Sequence, residues 1–220
     1  MSPDLTIALC LRDDETRLVD MAHTALAVAH ALAREHAAGE WRDQTREEAW
    51  IEAGADGGED LDLSFELLAL DESSRDNTPS VLSILHAKHP QLRTLEQLEP
   101  GSAIKRAARS ASGRVWLIVD SPFEFGHALW ATRQVFCSDT AAVVPGELLA
   151  VRRGLGQAAL GWHAGGLVGA QREVKDMLAS HDQHPAWSPP RDRALKTRAR
   201  LFVRAQLGRV GLGHLDRRGF

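Results

Sequence analysis

The sequence predicts an α/β domain built on a mostly parallel sheet flanked by helices on both faces. Two observations predict it. Short apolar runs of strand length alternate with segments whose apolar residues recur at helical spacing, and strand-helix alternation is how parallel strands are connected. Acidic clusters fall at the ends of three of the runs, at Asp13-Asp14-Glu15, Asp71-Glu72 and Asp120. These are the strand ends beyond which ligands bind in such sheets.

The elements follow in order. Residues 5–11 (LTIALCL) are short, apolar and partly β-branched, and read as a buried strand. Residues 16–33 place Leu18, Val19, Ala22, Leu26, Val28 and Ala29 at helical spacing, with Thr16 or a nearby Asp as cap. Residues 36–62 are polar, acidic and glycine-containing and read as an insert, with a short helix expected at 41–53. Residues 65–70 (FELLAL) are the second strand, followed by a polar turn to Thr78. Pro79 suits the first turn of a helix capped by Thr78. A weak third strand falls at 92–95. Pro100-Gly101 makes a turn, Ser102 opens a helix, and Ser112-Gly113 closes it. Residues 115–119 (VWLIV) form the strongest strand. A helix at 124–136, short strands at 140–144 and 147–151, and helices at 154–160 and 170–180 complete a domain over residues 1–181. The remainder, 182–220, is a proline-containing linker (DQHPAWSPP) and a basic amphipathic helix at 194–210.

Composition bounds the function. The 220 residues suffice for one sizeable core, and 44% hydrophobic with 25% charged residues is ordinary for a globular protein. A formal net charge of -4 implies no bulk attraction to nucleic acid. The two cysteines, Cys10 and Cys137, sit in apolar runs and read as buried thiols in a reducing compartment. Asp4 and the lack of a basic leader argue against a secretory signal. No apolar run reaches the length of a membrane span. A cytoplasmic protein is expected. The acidic 40–62 stretch and the basic 191–220 stretch could pair with each other, face partners, or stay solvated. The basic helix suits docking on the domain, a homodimer contact, or peripheral contact with an anionic membrane.

The turn Asp71-Glu72-Ser73-Ser74-Arg75-Asp76-Asn77-Thr78 carries the most chemistry. An acid at a strand end can accept hydrogen bonds from a ribose hydroxyl or a base N–H. It can equally cap its own turn. The order of residues resembles the strand and turn of the family-2 glycosyltransferases, which have a GT-A fold. Asp71, Ser74, Asp76 and Thr78 fall on matching positions. The resemblance extends in order over residues 5–180. Asp13-Asp14-Glu15 stands at an Asn-Glu-Glu-like turn, and residues 101–113 at a glycine-bounded, alanine-rich helix. Residues 114–120 stand at the strand that ends in the metal-binding Asp-x-Asp, and 150–162 resemble the segment after the acceptor region.

That resemblance implies a GT-A-like transferase acting on a UDP- or GDP-sugar. Asp71 or Glu72 would hold the base and ribose, with Asp13, Ser74, Gly101 and Lys105 beside them. Asp120 would lie near the diphosphate and a Mg or Mn ion, with Glu124 and His181 as further metal ligands. Glu173 or Asp176 would deprotonate the acceptor hydroxyl. The chain departs from the pattern in several places. The metal motif reads Asp120-Ser121-Pro122, and proline offers no side-chain ligand. Glu173-Val174 replaces paired acids, the stretch from 120 to 162 is short, and Cys10 and Arg12 replace a proline and a tyrosine. These departures keep a second expectation open, a non-catalytic relative that binds nucleotide or a partner. A nucleotidyltransferase would need a glycine- and arginine-rich first loop, which residues 9–15 lack. His163 lies in a glycine-rich loop that can line the cleft. Trp162 could stack on a sugar, while its place at the start of an apolar turn favours core packing.

Overall fold

The computed structural model describes residues 2–41, 43, 63–137 and 140–187. The expected helix at 41–53, most of the acidic insert and the basic helix at 194–210, with its dimer or membrane contact, lie outside the described residues.

In chain order the elements are β1 (Leu5–Leu11), α1 (Leu18–Ala37), β2 (Phe65–Asp71), α2 (Thr78–Lys88), β3 (Leu92–Leu95), α3 (Ala103–Ser110), β4 (Val115–Val119), α4 (Phe125–Cys137), β5 (Ala141–Val144), β6 (Leu148–Arg152), α5 (Arg153–Leu160), α6 (Leu167–Ala179) and β7 (Ala186–Trp187). They form a single seven-stranded sheet of order β3-β2-β1-β4-β6-β5-β7. β3, β2, β1 and β4 are parallel. β6 runs antiparallel to both β4 and β5, and β7 is parallel to β5. The expected mostly parallel α/β sheet is therefore present. Residues 186–187, expected in a linker, instead extend the sheet along β5.

Side-chain alternation splits the core in two. Leu5, Ile7 and Leu9 of β1, with Val115, Leu117 and Val119 of β4, pack against α1, α2 and α4. Ala8 and Cys10, with Trp116 and Ile118, pack against α3, α5 and α6. Helices thus cover both faces, which is why the central strands read as unbroken apolar runs rather than alternating ones. Carboxylates satisfy the first amides of two helices, a distant one for α6 and a local one for α2. α6 starts at Leu167 rather than 170, its first N–H donating to the Asp120 carboxylate 3.2 Å away. α2 starts at Thr78 behind Asn77, not behind a Thr78 cap. The Thr78 amide donates to Asp76 (3.0 Å), and the Thr78 hydroxyl accepts from the Asp14 amide (2.9 Å).

The amino-terminal edge of the sheet is held by buried charge. Glu66 accepts from Thr6 Oγ1 (2.7 Å), Ser112 N and Oγ (2.8 and 2.7 Å) and Arg93 Nη1 (2.8 Å). Asp4 accepts from Ser64 N (2.8 Å) and pairs with Arg114 (2.7 Å), which also reaches Asp43 (2.7 Å). Gly113 is required here, because a Cβ would stand 2.5 Å from the Thr6 amide nitrogen. Burial works against ionisation of Glu66, but the Ser112, Thr6 and Arg93 donors outweigh it and hold the carboxyl below its ordinary 4.5. Asp4 is held below 3.8 in the same way, burial being outweighed by Ser64 and Arg114.

A lowered folded pKa means that the unfolded chain binds more protons in acid. The stabilisation is then complete above the unfolded values and lost as pH falls through the folded ones. Denaturant melts are expected to show stability falling below about pH 4.5. Glu66→Gln should lower stability at neutral pH and flatten that acid limb. An unchanged acid limb in Glu66→Gln would contradict this assignment.

Candidate functional site

The loops after β1, β2 and β4 meet at the carboxyl edge of the sheet. The first two are stitched together by reciprocal bonds. Asp13 turns the chain with φ +53°. Its amide donates to Ser74 Oγ (2.8 Å), and its carboxylate accepts from the Arg75 amide (2.7 Å). The Glu15 amide donates to Asp76 (3.0 Å), and Asn77 Nδ2 donates to Glu15 (3.1 Å). Burial opposes ionisation of Asp76. The Thr78 hydroxyl and the Glu15 and Thr78 amides outweigh that and hold its carboxyl below the ordinary 3.8. Asp13, Ser74 and Asp76 thus fix the loop, and Ser74 also donates from its hydroxyl and amide to Asp71.

Three buried carboxylates stand behind this loop: Asp71 at 1% exposure, Glu72 at 5% and Asp120 at 4%. Asp71 ends β2. Glu72 accepts from the Ala103 amide (2.9 Å) and so caps α3. Asp120 accepts from Leu167 and so caps α6. An acid at a helix N-terminus is favoured by the helix dipole and by the unpaired amides there. Gly101, with φ +80°, turns the chain into α3, and its carbonyl accepts from Gly165 (2.9 Å), tying the loop before α6 to the same edge. Lys105, half-buried, lies in the first turn of α3. Asp13, Asp71, Glu72, Ser74, Gly101 and Asp120 are therefore brought to one edge, with Lys105 in the helical turn beside it.

The other predicted metal ligands are not brought to Asp120. Glu124 is 64% exposed and leans on His127 (3.5 Å), whose other ring nitrogen lies 3.1 Å from Glu147. His181 follows the far end of α6, its Nδ1 3.0 Å from the Met177 carbonyl oxygen. At about 1.5 Å of rise per residue it stands roughly 20 Å from the Leu167 end that Asp120 caps. Among the described residues, no group of three or more His, Cys, Asp or Glu side chains is placed to hold a metal ion. With Pro122 in the motif, the donors present do not fit a hard divalent cation, which takes several oxygens at once.

The candidate bases separate as well. Asp176 is on the surface, 3.6 Å from Arg172. Glu173 lies one turn nearer the Asp120 end of α6, its Oε1 2.9 Å from Nδ1 of the buried His163, out of line for a hydrogen bond. His163 Nε2 lies 3.2 Å from the Gly166 carbonyl oxygen. A Cβ at Gly169 would stand 2.9 Å from the ring, so glycine there makes the ring's seat. The sequence offered a signal for this pair, the run Gly161-Trp162-His163-Ala164-Gly165-Gly166 with Gly169, but gave no link from it to Glu173. Trp162 corrects an expectation. It is 84% exposed rather than in the core, with the Arg109 guanidinium 5.2 Å from its ring centroid. Arg109 is held there by donating to the Gly161 carbonyl (3.1 Å).

No family model and no curated protein sequence matches the chain. Solved structures do resemble it. A mannosyltransferase from Pyrobaculum calidifontis, in complex with GDP-Man and Mn2+, superposes with a TM-score of 0.55 at 16% identity, over 100% of this chain and 66% of that one. A mycobacterial protein superposes with a TM-score of 0.50 at 15% identity, over 96% of this chain and 76% of that one. The fold is therefore GT-A-like, the type found in nucleotide-sugar transferases. The chain spans about two thirds of the length of the mannosyltransferase.

Gly169→Ala tests the His163 seat. The added methyl must displace the ring, at an expected cost of about 1–3 kcal/mol in urea unfolding, with shifted His163 imidazole resonances in NMR spectra. Unchanged resonances and unchanged stability would show that the ring is not held there.

Proposed function

We propose that the chain is a glycosyltransferase that moves a sugar from a nucleoside-diphosphate donor, of UDP or GDP type, to an acceptor hydroxyl. One observation carries the proposal. Three buried carboxylates stand at the carboxyl ends of β2 and β4, on a GT-A-like sheet, behind a loop fixed by Asp13, Ser74 and Asp76. Burying a carboxylate costs free energy that its hydrogen bonds must offset. Asp71 is the acceptor for the base or ribose, positioned by Ser74. Glu72 and Asp120 hold the N-termini of α3 and α6 toward the phosphates. Gly101 leaves room for the backbone to approach them, and Lys105 adds positive charge. In the reaction the acceptor oxygen attacks the anomeric carbon. The bond from that carbon to the diphosphate oxygen breaks with its electron pair leaving on the diphosphate. The acceptor proton passes to Glu173. Asp176 takes no part in this scheme. Trp162, exposed and braced by Arg109, offers a flat apolar face on which a sugar can stack.

A second reading is a non-catalytic relative that binds nucleotide without turnover. The observation favouring it is the motif Asp120-Ser121-Pro122 with no metal cluster among the described residues. Among those residues, no helix is long and apolar enough to cross a membrane.

Titration calorimetry with UDP, GDP and their sugars, followed by an assay for donor turnover, separates the readings. Binding with turnover is expected. Asp71→Asn is expected to weaken nucleotide binding by about tenfold, or 1.4 kcal/mol. Binding without turnover would establish the second reading, and no binding of any nucleotide at millimolar concentration would contradict both.

A further inference from the structure

We infer that the guanidinium of Arg12, rather than a divalent cation, neutralises the diphosphate of the donor. The inference rests on the nucleotide-sugar reading above and assigns its leaving-group chemistry. A departing diphosphate develops negative charge, and a fixed cation aimed at that position stabilises it. Metal ions commonly fill the role. Here the donor set does not fit a metal, because Pro122 offers no side-chain oxygen, Glu124 leans on His127, and His181 lies at the other end of α6.

Arg12 stands where that cation is needed. It directly follows Leu11 at the carboxyl end of β1, the strand that lies between β2 and β4. The register Leu11↔Asp71 sets position 12 level with Glu72. β1 and β4 pair in parallel as far as Leu9↔Val119, so position 12 and the Asp120-Ser121-Pro122 turn both lie beyond that edge of the sheet. Glu72 and Asp120 bond to the first amides of α3 and α6, the helices on the face where Cys10, Leu70 and Ile118 pack. The chain departs from the family pattern at both 12 and 122, and both positions lie past the carboxyl ends of neighbouring strands.

The side chain itself points the same way. Arg12 is half-buried, and its Nη1 is buried with no hydrogen-bond partner. Its backbone is held in place, the amide donating to Asp14 Oδ2 (2.8 Å) while Asp14 also pairs with Arg17. A buried donor left without an acceptor costs free energy, and such groups in native structures call for an explanation in function. A diphosphate supplies the missing acceptor, since a guanidinium matches two phosphate oxygens with parallel N–H donors. The group keeps its charge throughout, so it binds and stabilises without exchanging a proton.

Calorimetry on the full chain tests this with UDP, GDP, uridine and guanosine, each in EDTA and in Mn2+. The wild type is expected to bind the diphosphates equally in both conditions, within about twofold. Arg12→Met is expected to lose about tenfold or more of UDP or GDP affinity while binding the matching nucleoside as the wild type does. It should also melt at a higher temperature than the wild type without ligand, because the unpartnered buried nitrogen is gone. A residue that only supported the fold would lower both. Arg12→Gln, neutral and polar, replaces the methionine variant if that one fails to fold. If Mn2+ raises wild-type diphosphate affinity about tenfold, or if the variants bind as the wild type does, the assignment to Arg12 falls while the nucleotide reading stands. If the wild type binds no nucleotide or nucleoside in either condition, the nucleotide reading falls and takes this inference with it.

Discussion

A parallel sheet ends its strands at one edge, and the backbone amides of the loops beyond that edge have no ladder to enter. In this protein carboxylates accept those amides. Asp13 takes Arg75, Asp76 takes Glu15 and Thr78, Glu72 takes Ala103, and Asp120 takes Leu167. The architecture beyond the sheet depends on this single device. It sets where α2, α3 and α6 begin, and it locks the first loop to the second. It also concentrates negative charge at the place where a GT-A-like fold receives its ligand. On the nucleotide-sugar reading proposed above, a ligand here brings hydrogen-bond donors to Asp71 and sets its anionic part against donors and cations.

The two edges of the sheet divide the work. At the amino edge Glu66 and Asp4 are surrounded by donors and paired with Arg93 and Arg114, so their charge is fully compensated. At the carboxyl edge the pattern is less complete. Arg12, just past the end of β1, keeps a buried nitrogen with no hydrogen-bond partner. Incomplete compensation at one edge and full compensation at the other is the asymmetry expected of a binding site on a rigid scaffold.

Much of this fold was legible in the sequence because the central strands are buried on both faces. A run such as VWLIV admits few other environments, and the acids that follow such runs mark the carboxyl edge. Boundaries set by tertiary bonds were not legible. Nothing near Leu167 announces that Asp120, 47 residues earlier, supplies its first acceptor. Of the site, the identity of the acids was readable and their commitments were not, since partners such as Ser74 for Asp13 lie 61 residues away. His181 looked close to the site only until the direction of α6 was known. Trp162 looked like core by local composition, and its exposure follows from the turn after α5, which no local pattern specifies. Arg12 could be noticed as a replacement, but its place at the carboxyl edge between β2 and β4 needed the strand order.

The most direct test of the account is a crystal structure of the full chain with UDP or GDP bound. The account predicts the base or ribose hydrogen-bonded to Asp71 and the diphosphate at the carboxyl end of β1, within reach of the Arg12 guanidinium and the N-termini of α3 and α6. A nucleotide bound away from that edge, or crystals that take up none at saturating concentration, would contradict it.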